Sequence, residues 1–257
     1  MPGKVYIVGA GPGDPKLITL KGKEVLERAD VVIYTGSLLN PEILKYVKKD
    51  AELYDSAKMC MEEIVQKIVD AARKGKSVVR LHDGDPSIYG AVKELMDALE
   101  GHGIEYEVVP GVSSLQAAAA CLKRELTLPG VSQTVIITRP GGRTPVTEAD
   151  TLEKLAAHGA TMAIFLGVQR IETIVKRLRA GGYREDTPVA VVYKASWPQQ
   201  KIVKGTLSDI AEKVKVEGLK STALILVGEA IEPRAYKRSK LYDAGFTHSF
   251  RRDEKNV

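Results

Sequence analysis

Val5-Tyr-Ile-Val-Gly-Ala-Gly-Pro-Gly-Asp-Pro15 decides how the rest of the chain is read. Four strand-favouring residues run into a glycine-rich turn, which breaks at once into Asp14-Pro15. The turn invites comparison with the Gly-x-Gly-x-x-Gly loop that seats a pyrophosphate at a helix start, but Asp14 stands where the third glycine belongs. Pro12 also removes an amide donor that a phosphate cradle needs, and the Asp14 carboxylate repels an anion there. The stretch therefore reads as a strand-to-loop site for something uncharged or cationic. Tight turns need glycine in any case, so the loop alone proves no site.

Working outward, strand-like and helix-like stretches alternate, the signature of an α/β fold with mainly parallel sheets. Strands are expected at Val5–Val8, Val31–Tyr34, Ser77–Leu81 and Tyr106–Val109. Helices are expected from Leu17 to Ala29, after Pro41, along the Met61–Ala72 apolar stripe, from Ile88 to Leu99, and through Ala117–Ala120. The loops after three of these strands hold the unusual residues: Gly9–Pro15, His82-Asp-Gly-Asp-Pro86 and Pro110-Gly-Val-Ser-Ser114. In open parallel sheets the side after the strands is the ligand side. Between Arg124 and Gln133 the pattern lapses into Leu-Thr-Leu-Pro-Gly, read as the link between a domain at 1–125 and a second at 133–257. The second series has strands at Val135–Thr138, Met162–Leu166, Val189–Val192 and Ala223–Val227. Its helices fall near Asp150–Ala157, Arg170–Ala180 and Leu207–Val214. The tail from Pro233 is charged, with Leu241-Tyr242 and Phe246 able to dock on the body.

Across 257 residues, 44% are apolar and 28% charged, as in ordinary soluble domains. No apolar run nears the ~20 residues of a membrane span, and no leader precedes Val5, so a cytoplasmic protein with no membrane partner is expected. Cys60 and Cys121 have no metal-ligand spacing, and the four histidines are scattered, so no metal is expected. The net charge of +5 suits an anionic partner, or solubility alone. Aromatic residues are 5% and no basic run is interleaved with them, which argues against nucleic acid. There is no serine elbow and no activated cysteine, so the substrates must carry most of the chemistry.

The three loops, in this order and spacing, resemble the tetrapyrrole methylase family, from about Lys4 to Arg252. The likeness continues through Phe165-Leu-Gly-Val168, Pro188–Val192 and Ala223–Gly228. It implies the tetrapyrrole methylase fold: two α/β domains with S-adenosylmethionine (SAM) in the cleft between them, unlike the Rossmann-type methyltransferases. It implies a homodimer, an anionic tetrapyrrole substrate, methyl transfer to carbon, and S-adenosylhomocysteine as product. Tyr34-Thr-Gly-Ser-Leu38, Thr138-Arg-Pro-Gly-Gly-Arg-Thr-Pro145, Lys194-Ala-Ser-Trp-Pro198 and the tail Ser239–Tyr242 with Phe246–His248 and Phe250-Arg251 are similar to the branch that methylates C11 of precorrin-4 or its cobalt form. Uroporphyrinogen-methylating relatives typically read Gly-Gly-Asp-Pro where this chain reads Asp83-Gly-Asp-Pro86.

By that resemblance, SAM contacts fall on Pro12, Asp83, Gly84, Asp85, Ile88, Ser113, Ser114, Leu166, Ala195, Thr222 and Ala223. Carboxylates suit a cationic sulfonium, and small residues let backbone approach. Ile88 and Leu166 also read as core packing, and Asp85 as a turn or helix cap. Asp14 is the candidate acceptor for the proton lost after methylation, or else it fixes its loop by bonding backbone amides. Arg139, Arg143 and Lys58 are candidates to pair with substrate carboxylates. Three rivals stand beside this: a nicotinamide-dependent oxidoreductase, a family member with another acceptor, and a tetrapyrrole carrier that does not bind SAM. The first needs a third glycine and a ribose-binding acid after the second strand, which Tyr34-Thr-Gly-Ser does not offer.

Overall fold

The computed structural model describes residues 2–142, 144–243, 245–247 and 249–250. The chain forms two compact units, Met1–Cys121 with Lys194–Lys201, and Leu122–Tyr193 with Ile202–Val257.

The first unit is built on β1 (Val5–Gly9), β2 (Val31–Tyr34), β3 (Glu52–Asp55), β4 (Val78–His82) and β5 (Tyr106–Val109). They form one sheet of order β3-β2-β4-β1-β5, and every pair in it is parallel. Helices α1 (Leu20–Arg28), α2 (Met61–Arg73) and α3 (Val92–Gly101) cross between strands, and α4 (Ser114–Leu122) follows the last of them. Strand faces alternate with period two. Val5, Ile7, Val31, Ile33 and Val78 pack with Ile64, Ile68, Leu95 and Leu99 of α2 and α3. Val8, Val32, Val79 and Leu81 pack on the other face with Leu26 of α1. The chain leaves β1 toward β2 and leaves β4 toward β5, in opposite directions from adjacent strands. Such a reversal marks the end of a parallel sheet where ligands are generally bound.

In the second unit, β6 (Val135–Thr138), β7 (Thr161–Ile164), β8 (Pro188–Tyr193), β9 (Lys201–Thr206) and β10 (Ala223–Val227) make a sheet of order β6-β7-β10-β8-β9. β6 and β7 are parallel, but β10 runs antiparallel to both β7 and β8. The parallel pattern expected from alternation thus holds for the first sheet, while the second is mixed. Helices α5 (Leu152–Ala156), α6 (Ile171–Ala180) and α7 (Ile210–Val216) cover its core, where Met162, Ile164, Ile174, Leu178 and Ile225 are fully enclosed.

The Leu17–Ala29 expectation shortens to α1 because Asp14 caps a separate 3₁₀ turn at Pro15–Leu17 and Thr19 then caps the helix. The stretch after Pro41 is likewise a 3₁₀ turn, Pro41–Tyr46. Ile88 lies outside α3, which begins only at Val92.

Candidate active site

The glycine loop after β1 is fastened on two sides. Gly11 and Gly84 exchange backbone hydrogen bonds, the Gly11 amide to the Gly84 carbonyl at 3.2 Å and the reverse at 2.8 Å. A Cβ on Gly9 would lie 2.6 Å from Gly111, and one on Gly111 would collide with the Gly84 carbonyl. The loops after β1, β4 and β5 therefore meet backbone to backbone, which only glycine permits. On the other side, the indole of Trp197 donates to the Pro12 carbonyl at 2.9 Å, and the Asp14 amide donates to Ser196 Oγ at 3.0 Å. Buried Asn40 donates to the Gly13 carbonyl at 2.8 Å. Most polar backbone groups from Gly11 to Asp14 are thus occupied, which is the opposite of a phosphate nest. A groove of about 710 Å³ borders this loop, walled by Asp14, Asn40, Lys45, Lys194 and Trp197.

Asp85 clamps the loop after β4 to the loop after β5. One oxygen accepts from the Gly111 amide at 2.8 Å and the other from the Ser87 amide at 2.9 Å, with the Ser87 hydroxyl added. Burial opposes its ionisation, but these bonds outweigh burial and hold the carboxyl below the usual range. Asp83 behaves in the opposite sense. Burial pushes its carboxyl up, against its own backbone amide and the charge of Arg80. Ser113 is buried at the start of α4, with Ser114 beside it.

Asp14 accepts from the Lys16 amide at 2.9 Å, a bond within its own loop. Lys58 is exposed in the 3₁₀ turn that follows β3. In the second unit, Arg139 turns its fork inward on its own loop, donating to the Thr144 and Pro145 carbonyls at 3.0 Å each. Arg143 lies outside the described residues, as do His248 and Arg251 of the tail.

Leu166 is 63% exposed, so it is not core packing, and it sits at φ 54. Thr222 has φ 51 and precedes Ala223 at the start of β10. In the first unit, buried Ala195 lies between Lys194 at φ 45 and Ser196 at φ 69. Left-handed backbone in side-chain-bearing residues costs about 1–3 kcal/mol each and gathers at functional sites.

A family model, Tetrapyrrole (Corrin/Porphyrin) Methylases, matches residues 4–211. The chain belongs to this methylase family. It is 64% identical over 252 residues to a cobalt-precorrin-4 C(11)-methyltransferase of Methanocaldococcus jannaschii, covering 98% of this chain and 97% of the relative. Among solved structures, it is similar to a cobalt-precorrin-4 methyltransferase at 47% identity and TM-score 0.87, covering 90% and 96% of the two chains. It is also similar to a Thermus thermophilus uroporphyrin-III C-methyltransferase complexed with S-adenosylhomocysteine. That match has 32% identity and TM-score 0.76, covering 92% and 97%. With this membership, the tetrapyrrole methylase fold expected from three loops stands.

Arg80, in the strand expected at Ser77–Leu81, and His82, at the head of the loop after it, carry no role in the sequence-based expectations. Both are buried at the end of β4. An arginine and a histidine inside Val-Val-Arg-Leu-His, on the central strand of a parallel sheet, break the apolar run such a strand needs. That break was the available signal. Trp197 stands in the Lys194–Pro198 stretch that carries the resemblance, but nothing local ties it to the Pro12 carbonyl, 185 residues away.

Proposed function

We propose that this protein is a SAM-dependent C-methyltransferase that places a methyl group on C11 of cobalt-precorrin-4. The supporting observation is near-full-length likeness to a protein of that activity. The likeness is far higher than to the uroporphyrin-III enzyme.

The loops after β1, β4 and β5 fit a sulfonium-bearing nucleoside. They offer backbone carbonyls, the carboxylate of Asp85, the buried carboxyl of Asp83, the hydroxyls of Ser113 and Ser114, and glycines whose Cβ would fill the approach. Pro12, Gly84, Ile88 and Ala195 complete this set in the first unit, and Leu166, Thr222 and Ala223 of the second unit are proposed SAM contacts on family likeness alone. Bound SAM supplies an electrophilic methyl group. The chain's own residues hold the reactants in line and exclude water, which can lower a barrier by roughly 7–11 kcal/mol in favourable cases. The acceptor carbon of a partly reduced tetrapyrrole is enamine-like, so no strong base is needed. Asp14 borders the groove and is proposed to take the proton released after transfer. Lys58, Arg139 and Arg143 are proposed to pair with the substrate carboxylates, Arg139 by exchanging its two loop carbonyls for them. A cytoplasmic homodimer belongs to the same reading. Among the described residues no helix is long and apolar enough to cross a membrane.

The test is an anaerobic assay with methyl-labelled SAM, offering precorrin-4 and cobalt-precorrin-4 separately, with carbon NMR of the product. Label at C11, faster with the cobalt form, supports the reading. SAM binding with no transfer to either acceptor overturns it.

A further inference from the structure

The carboxyl end of the first sheet carries a buried polar row. Tyr34 pairs with Leu81 and with Asp55. Thr35 and Ser56 therefore follow level with His82, and Arg80 lies two residues back on the same face of β4. Arg80, His82 and Ser56 are 6–8% exposed. Arg80 donates to the Ile33 carbonyl at 3.2 Å and to Ser56 Oγ at 3.0 Å, while Ser56 donates to the Tyr34 carbonyl at 3.0 Å. Neutral acceptors thus hold the guanidinium. Asp83 is the acidic group that acts on it, and burial drives that carboxyl toward its neutral form. Two atoms in this row, His82 Nε2 and Thr35 Oγ1, are buried with no hydrogen-bond partner.

Buried polar atoms are nearly always partnered, and a buried charge is normally paired with an opposite one. Here one cation and two unpartnered hydrogen-bonding groups, from neighbouring strands, lie together on the ligand side of a parallel sheet. A neutral imidazole can donate from Nε2 and a hydroxyl can donate from Oγ1. The complement to one positive charge with two donors is a carboxylate.

We propose that Thr35, Arg80 and His82 form a carboxylate-binding subsite that orients one of the two reactants. Arg80 supplies the charge, and His82 Nε2 and Thr35 Oγ1 supply the hydrogen bonds. The inference rests on the methyltransferase reading for its two carboxylate sources, an arm of the tetrapyrrole or the amino acid end of SAM. The depressed basicity of His82, caused by burial first and the charge of Arg80 second, agrees with it, since a neutral imidazole can donate from Nε2 without adding a second buried charge.

The test follows the ¹⁵N resonance of His82 Nε2, assigned by its loss in His82→Gln, in the full-length protein. S-adenosylhomocysteine, cobalt-precorrin-4 and uroporphyrinogen III are titrated one at a time, and their affinities are measured for wild type, Thr35→Val and His82→Phe. One ligand class should move the resonance. Both substitutions should then weaken that class by about tenfold or more and leave the other within about twofold. A response to S-adenosylhomocysteine names SAM as the source, and a response to the tetrapyrroles names the acceptor. If no ligand moves the resonance, or if both variants bind everything as wild type does, a buried water satisfies the two atoms and the subsite is wrong. A resonance that responds to S-adenosylhomocysteine or uroporphyrinogen III, in a protein that does not methylate cobalt-precorrin-4, keeps the subsite and rejects the proposed acceptor.

Discussion

Two buried or clamped side chains at the end of β4 make the acid stability of this protein predictable. Burial, with the charge of Arg80 second, pushes the His82 imidazole down to about 3. An unfolded imidazole titrates near ~6.5, so between these values the unfolded chain binds the extra proton. Stability must therefore rise with pH across that window and fall on acidification, by at most roughly 1.4 kcal/mol per pH unit. Urea unfolding of wild type and His82→Gln at about pH 7 and about pH 4.5 checks this. The wild type should lose more than the variant, and equal losses would exclude His82 as the source. Asp85 acts lower on the scale. Its carboxyl is held below the usual range, so its contribution is complete above about pH 4 and is lost as pH falls further. Asp85→Asn should cost about 1 kcal/mol at neutral pH, discounted for partial exposure, and nothing in strong acid. An undiminished gap at about pH 2 would show that the clamp does not depend on the charge. The residue types behind both effects are plain in Val-Val-Arg-Leu-His-Asp-Gly-Asp-Pro. Their burial is not, because it is set by β2 and β3, distant in sequence.

Loops and strands divide sharply in how far sequence revealed them. Strands β1, β2 and β10 fall close to where apolar runs place them because nearly all their residues are buried, and β5 and β6, though partly exposed at sheet edges, keep enough β-branched residues to be seen. β3 and β9 escaped notice for a shared reason. Each lies at a sheet edge and, unlike the edge strands β5 and β6, carries two charged residues, in Glu-Leu-Tyr-Asp and Lys-Ile-Val-Lys-Gly-Thr, with at least half of its residues exposed. Such edges are protected from pairing by polar residues, which erase the apolar signal. With β9 unseen, the alternating strand–helix pattern gave no warning that β10 enters against its neighbours. The glycine loop shows the same limit. Gly9 and Gly11 were legible, but Trp197 as the loop's other wall was not. A Cβ on Gly13 would collide with that indole, so loop and ring are fitted to each other. Trp197→Phe keeps most of the wall and deletes the bond to the Pro12 carbonyl, and should cost about 1 kcal/mol of stability. Trp197→Ala should cost about 3 kcal/mol, since wall and bond both go. Thermal unfolding of the two variants measures the difference, and equal losses would mean that the ring contributes nothing beyond its hydrogen bond.

For the molecule as a whole, charge links the chain to its proposed substrate. The sequence holds 38 lysines and arginines against 33 aspartates and glutamates, a net +5. Most of this charge is on the surface, where its field is screened within about 8 Å at physiological salt. A tetrapyrrole with several carboxylates is drawn by such a field, whereas SAM, with a single net positive charge, is not. KM for the tetrapyrrole should therefore climb as salt is raised from low to physiological strength, while KM for SAM stays level or falls slightly. kcat at saturating acceptor should change little, because the surface field acts on encounter. A buried guanidinium such as Arg80 escapes most of this screening, so a residual acceptor affinity should persist at high salt. Arg80→Lys keeps the charge but replaces the planar fork with a point charge. If Arg80 holds an acceptor carboxylate, that salt-resistant part should shrink in the variant while the salt-sensitive part is unchanged. Steady-state kinetics across a salt series for wild type and variant reads both parts together. A tetrapyrrole KM that does not respond to salt would remove the surface field from the account of how the acceptor is found.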